Sequence, residues 1–134
     1  MIYAMDTNII SFILRGNKII RQRWLQKEQS GNSVVIPLIA YYEVKRGLLC
    51  ANSTSKLAAF EQVCEKLSIE DLTIADMSMA ARIYAESRRR GQPMEDDDIL
   101  IAAQSLSRGY TLVTNNTRHF KEITGLKTED WSIK

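Results

Sequence analysis

Apolar residues recur along this chain in two rhythms. Ile2-Tyr3-Ala4-Met5 and Val34-Val35-Ile36 are unbroken apolar runs. Such runs mark strands buried on both faces, and the β-branched Thr111-Leu112-Val113-Thr114 reads the same way. Between them the spacing is helical. Ile9, Ile10, Phe12, Ile13 and Leu14 crowd a segment that Gly16 can close, and residues 17–30 follow as a more polar helix striped by Ile19, Ile20, Trp24 and Leu25. In residues 38–49, Ile39, Tyr42, Arg46 and Leu49 share one side. Leu57, Phe60, Val63, Cys64 and Leu67 give the next helix its buried face. Residues 68–74 carry a third strand, interrupted by Glu70 and Asp71. A helix over 75–90 turns Met79, Ala80, Ile83 and Tyr84 inward and ends in Arg88-Arg89-Arg90-Gly91. Another, opened by Ile99 to Ala103, stops at Gly109. A short helix over 117–123 and an extended piece near Leu126-Lys127 complete the pattern. Strands separated by helices imply right-handed crossovers. The expected fold is therefore α/β, with a mainly parallel sheet of four to five strands and helices on both faces.

At 134 residues the chain suits one domain, 1–134, with a proper core. A hydrophobic fraction of 45% and a charged fraction of 25% are those of a soluble globular protein. A net charge of +2 is too balanced for a protein that coats nucleic acid generically, although a local basic surface is compatible with it. Cys50 and Cys64 follow neither zinc nor disulfide spacing and read as small buried side chains in a reducing compartment. With no signal-type segment and no apolar run of bilayer length, the expected location is the cytoplasm.

Candidate chemistry gathers where strands end. Asp6, Thr7 and Asn8 follow the first strand directly, and open α/β sheets bind ligands beyond the carboxyl ends of their strands. Asp6 either caps the following helix or faces that crevice. Glu95-Asp96-Asp97-Asp98 exceeds what a helix dipole needs, since one or two acids suffice and four repel each other. With Asp96 as the cap, Asp98 falls in the first turn and can join Asp6, while Asp97 faces solvent. Glu43 lies inside the apolar stretch IAYYEV, either as a third pocket acid or as a surface partner of Lys45, Arg46 or Lys27. Thr114, Asn115 and Asn116 end the last strand, where a simple turn also uses such residues. Carboxylates that share a pocket require raised pKa values or a cation. Oxygen donors without a His or Cys cluster favour Mg²⁺ or Mn²⁺ over zinc.

Four segments in order, M-D-T-N at 5–8, I-A-Y-Y-E-V-K-R-G at 39–47, D-D-I-L-I-A-A at 97–103 and L-V-T-N-N-T-R-H-F at 112–120, resemble the PIN-domain ribonucleases. They are most similar to the VapC toxins of bacterial toxin–antitoxin modules, whose tail the E-D-W of 129–131 also matches. The resemblance covers nearly the whole chain and implies a PIN-like three-layer fold. It implies that Asp6 and Asp98 are metal ligands for Mg²⁺ or Mn²⁺, that Glu43 is the helical acid of the pocket, and that Asp96 is an accessory acid. Asn116 stands where many members have an aspartate. An amide supplies an oxygen but neither charge nor a base. Thr7 and Thr114 match residues that hold the acids, and Thr7 and Asn8 are expected to direct Asp6 and to take over the cap.

The implied activity is metal-dependent endonucleolytic hydrolysis of RNA, transfer RNA or another structured RNA, leaving 5′-phosphate and 3′-hydroxyl ends. The implied partners are a VapB antitoxin and a second copy of the chain. Arg15, Lys18, Lys45, Arg46, Arg118 and His119 are candidate phosphate contacts. A phospho-acceptor domain would need a second strand-end Asp and a late Lys, and a haloacid-dehalogenase-type phosphatase would need Asp where Asn8 stands. The rival that remains is a non-catalytic PIN module that binds RNA or protein, for which Asn116 is the argument.

Overall fold

A computed structural model describes residues 1–133. Its elements run β1 (Ile2–Met5), α1 (Thr7–Leu14), α2 (Lys18–Gln29), β2 (Ser33–Pro37), α3 (Leu38–Cys50), α4 (Thr54–Lys66), β3 (Ser68–Glu70), α5 (Ile74–Arg89), α6 (Asp96–Arg108), β4 (Thr111–Val113), α7 (Thr117–Phe120) and β5 (Lys127–Glu129). The five strands form one sheet in the order β3-β2-β1-β4-β5, every pair parallel, and helices flank it.

The continuous apolar runs explain which strands are central. Tyr3, Ala4 and Met5 of β1 and Val34 to Pro37 of β2 are buried on both faces, as an inner parallel strand requires. Ile9, Ile10 and Ile13 turn α1 against the same core, which also holds Phe60, Ile101, Phe120 and Trp131. At the chain's tail, the Trp131 ring lies tilted against Tyr3 with centroids 5.6 Å apart, and its indole N–H donates to Glu129 at 3.1 Å. Glu129 also pairs with Lys27 at 3.4 Å, so the E-D-W segment closes the far edge of the sheet.

Three local expectations differ from what is found. β3 stops at Glu70 because the next carbonyls leave the ladder: Glu70 O and Asp71 O both accept from the buried Gln104 amide of α6, at 2.7 and 3.1 Å. The face of α3 turned inward carries Ala40 and Val44, while Tyr42 and Leu49 on the opposite side are exposed, as is Tyr84 on α5. Both cysteines are free thiols; Cys50 is exposed at the end of α3, against expectation, whereas Cys64 is half-buried and packs against the core. Among the described residues, no helix is long and apolar enough to cross a membrane.

The strand order matters for function. The chain leaves β1 toward β2 on one side and later returns to β4 on the other. The carboxyl ends of β1 and β4 therefore flank the switch point where open α/β sheets form their crevice.

Candidate active site

Pairing in register between β1 and β4 sets Met5 opposite Val113. One residue beyond this pair stand Asp6 and Thr114. The Asp6 N–H donates to Val113 O at 2.9 Å, and the buried Thr114 hydroxyl donates to Asp6 Oδ2 at 2.9 Å. The other oxygen, Oδ1, accepts from the Thr7 N–H at 2.8 Å. Asp6 is thus both the N-cap of α1 and a buried acid at the sheet edge, and the expectation that Thr7 and Asn8 would take over the cap is corrected. A carboxylate has room for both uses, because each oxygen can serve a different donor. Asn8 is exposed, whereas the Thr7 hydroxyl reaches forward and donates to Glu43 Oε1 at 2.6 Å. Thr7 and Thr114 therefore orient two acids from the two central strand ends.

Glu43 reaches this point from α3, where its side chain is only 13% exposed. Arg46, one turn on, lies 3.6 Å from Glu43 Oε2 but is itself mostly in solvent. Of the other cations that could have paired with Glu43, Lys27 goes to Glu129 and Tyr3, and Lys45 to the Tyr41 hydroxyl.

The acids of α6 are phased differently from the expectation. Glu95, not Asp96, is the N-cap, so Asp96, Asp97 and Asp98 all lie in the first turn. Asp96 consequently faces outward and is exposed. Asp97, expected in solvent, is half-buried with its carboxylate against that of Glu43. Asp98 faces the Asp6 side, and its Oδ2 lies 3.0 Å from Nε2 of His119 on α7. Asn116 enters through its backbone: its N–H donates to Thr114 Oγ1 at 3.1 Å, and its side chain is exposed.

Asp97, expected in solvent, and His119, expected only as a phosphate contact, are the site neighbours whose contacts with Glu43 and Asp98 sequence reasoning missed. For Asp97 the signal was present, as a run of four acids longer than capping requires. For His119 it was only the position of the single histidine just beyond a strand end.

Three of the four acids, Asp6, Glu43 and Asp98, have raised proton affinity. Burial pushes the Asp6 carboxyl up, bonds from Thr114 and Thr7 pull it back, and repulsion from Asp98 and Asp97 adds to the rise. Burial and the Asp97 charge likewise raise Asp98, with His119 opposing. Glu43 is pushed up to about 7, first by burial and then by contact with Asp97, while Thr7 and Arg46 act against the rise. Asp97, which accepts from Glu43, is held below its ordinary value. A proton shared between these two carboxyls is thus favoured on Glu43 over Asp97.

Such a pocket attracts cations. Among the described residues, no three His, Cys, Asp or Glu side chains converge as a ready ligand cluster. Mg²⁺ asks for less, since it commonly takes one or two carboxylates and keeps several waters. Mutually repelling oxygen donors at the mouth of a crevice fit such a hydrated hard ion better than zinc.

The remaining candidate cations scatter. Arg15 lies over the Phe12 ring and lines a cleft of about 160 Å³ beside Thr7 and Glu43. Lys18 is exposed at the start of α2, Lys45 faces a separate cleft with Cys64, and Arg118 lines a cleft with His119.

Comparison with known proteins places this geometry among relatives. The sequence profile described as the PIN domain matches residues 3–126. The tRNA(fMet)-specific endonuclease VapC of Shigella flexneri is 33% identical over 133 residues, covering 97% of this chain and 98% of that protein. VapBC-1 from nontypeable Haemophilus influenzae superposes with a TM-score of 0.88 at 27% identity, over 99% of this chain and 100% of that one. DNA-bound VapBC from Salmonella typhimurium gives 0.88 at 29% identity, over 98% of both chains.

Proposed function

We infer the function from one premise: the chain belongs to the PIN-domain family, in its VapC branch. It is an endoribonuclease toxin held in check by a VapB-type antitoxin. The observation that carries the site assignment is that Asp6, at the β1–β4 switch point, lies within electrostatic reach of Asp98 and is joined to Glu43 through Thr7, with burial and neighbouring acids raising the proton affinity of each.

In our reading Asp6 and Asp98 hold a Mg²⁺ or Mn²⁺ ion, with Glu43 and its neighbour Asp97 completing the negative pocket. Asp96, exposed on the far side of the turn, plays at most a distant electrostatic part. When bound, the ion supplies Lewis-acid polarisation of the phosphodiester and a nucleophile near neutral pH. The chain's own residues do the positioning. Thr114 and the Thr7 N–H fix both oxygens of Asp6, the Thr7 hydroxyl fixes Glu43, and His119 fixes Asp98. Asn116 orients Thr114 through its backbone and offers an amide at the rim.

The reaction is hydrolysis: water adds at phosphorus, the bond to the 3′-oxygen breaks, and 5′-phosphate and 3′-hydroxyl ends remain. Transfer RNA in the cytoplasm is the substrate we favour, in line with the Shigella relative's name. A homodimer would find an apolar face on α5, where Ile74 and Met77 are exposed.

The test is direct. Purified protein with structured RNA and Mg²⁺ or Mn²⁺ is expected to give discrete cuts that EDTA abolishes and that D6N and D98N each remove while remaining folded. Cutting by those variants at the wild-type rate would exclude the assigned pocket.

A further inference from the structure

The three arginines that end α5 carry more charge than a helix terminus requires. Arg88 lies over the Tyr84 ring, 4.7 Å from its centroid. Arg90, at the cap, instead lines a cleft of about 330 Å³ between the 90–94 turn and the α7 segment. Arg118 and Lys121 line the same cleft, and Glu122 is its single acid. None of these three cations forms an ion pair among the described residues, whereas Lys27, Arg46 and Arg108 each do.

The wall that carries Arg90 is fixed. Its N–H donates to Glu86 O at 3.0 Å, and the Gln92 N–H donates to Ser87 O at 2.9 Å. Between them Gly91 takes φ of 72°, a conformation that side-chain-bearing residues rarely adopt. His119 belongs both to this cleft and to the contact with Asp98, so the cleft adjoins the acidic pocket through that side chain.

We propose that this cleft is the subsite for the RNA phosphodiester backbone, with Arg90, Arg118 and Lys121 holding phosphates next to the one that is cut. The proposal rests on RNA being the substrate. A pocket of carboxylates repels a polyanion, and neighbouring unpaired cations both offset that repulsion and determine where the strand lies. Each phosphate neutralised releases counterions, which makes the assignment measurable.

Fluorescence anisotropy of a labelled RNA stem-loop in EDTA, where cutting is suppressed, reads binding across a salt series. R90A, R118A and K121A are each expected to weaken binding by about threefold to tenfold and to lower the salt slope by about 0.7–1. R82A, exposed on α5 and outside the cleft, is expected to change neither. Equal affinity and slope for wild type and the triple variant, with circular dichroism showing both folded, overturns the proposal. Absence of RNA binding by the wild type overturns it as well. Parallel incubation of the same RNA with Mg²⁺ or Mn²⁺ separates the two readings. Cutting by wild type with binding unchanged in the variants sinks the cleft alone. Cleft-dependent binding without cutting supports the cleft and sinks the nuclease assignment.

Discussion

Asp76 and Asp98 are both aspartates in the first turns of two helices that pack together, and the chain treats them in opposite ways. Asp76 is almost wholly buried on α5 and has a full set of partners. It accepts from the Thr73 N–H at 2.8 Å in a capping box, from the Ser107 hydroxyl, and from Arg108 Nη2 at 2.7 Å. Burial alone would raise its pKa, yet the bonds from Arg108, Ser107 and Thr73 outweigh burial and hold it at about 2. Asp98, together with Asp6 and Glu43, sits among like charges with only the exposed Arg46 guanidinium and the half-exposed His119 imidazole as basic neighbours, and its proton affinity rises. An acid that ties α5 to α6 is given its counter-charge by the chain. The acids that we propose hold an outside cation have no buried counter-charge of their own, at a cost in stability that a stable scaffold can carry.

Breaking the satisfied pair should have the largest effect. Arg108→Ala leaves a buried carboxylate unpaired and is expected to lower stability by about 3–5 kcal/mol, read from urea midpoints at pH 7. Asp98→Asn should do the reverse. It removes a repelled charge, so stability stays level or rises, while cleavage falls by about 10²–10³-fold, the scale of losing one electrostatic stabiliser.

Next in size is the pH dependence of stability in EDTA. The folded pKa of Glu43 lies above its unfolded value, so the folded state binds the extra proton and stability falls as pH rises from about 4.5 to about 7. Asp76 has the opposite sign: its contribution is present above the unfolded value near 3.8 and is lost as pH falls through about 2. Glu43→Gln should flatten the upper slope and gain on the order of 1 kcal/mol at pH 8, since one pKa unit is about 1.4 kcal/mol and Asp97 shares the proton. Smallest is Asn116→Ala. Its contact runs through the backbone N–H, so stability should stay within about 0.5 kcal/mol, with a smaller loss of cleavage than Asp98→Asn.

Much of this contrast is written in the chain. Continuous apolar runs identified β1 and β2 as inner strands, and the run of acids after residue 94 marked a charge excess that capping does not explain. Which acid faces where was not legible, because helical phase advances about 100° per residue. With the N-cap at Glu95 rather than Asp96, it is Asp97 that swings onto Glu43 and Asp96 that swings out. The His119–Asp98 contact and the Arg108–Asp76 bridge join residues 21 and 32 positions apart, and no local spacing encodes either. Asp6 offered two readings, cap and site, and the fold uses both because its two oxygens point at different donors.

The central claim is that the Asp6–Asp98 pocket is short of positive charge and takes a divalent cation. It is tested most directly by thermal unfolding at pH 8 over a Mg²⁺ or Mn²⁺ titration, for wild type and the D6N/D98N double variant. A ligand that binds only the folded state raises the midpoint with concentration. The expected result is a rising midpoint for wild type and a flat one for the variant. Equal rises in both proteins, or no rise in wild type, would contradict the claim.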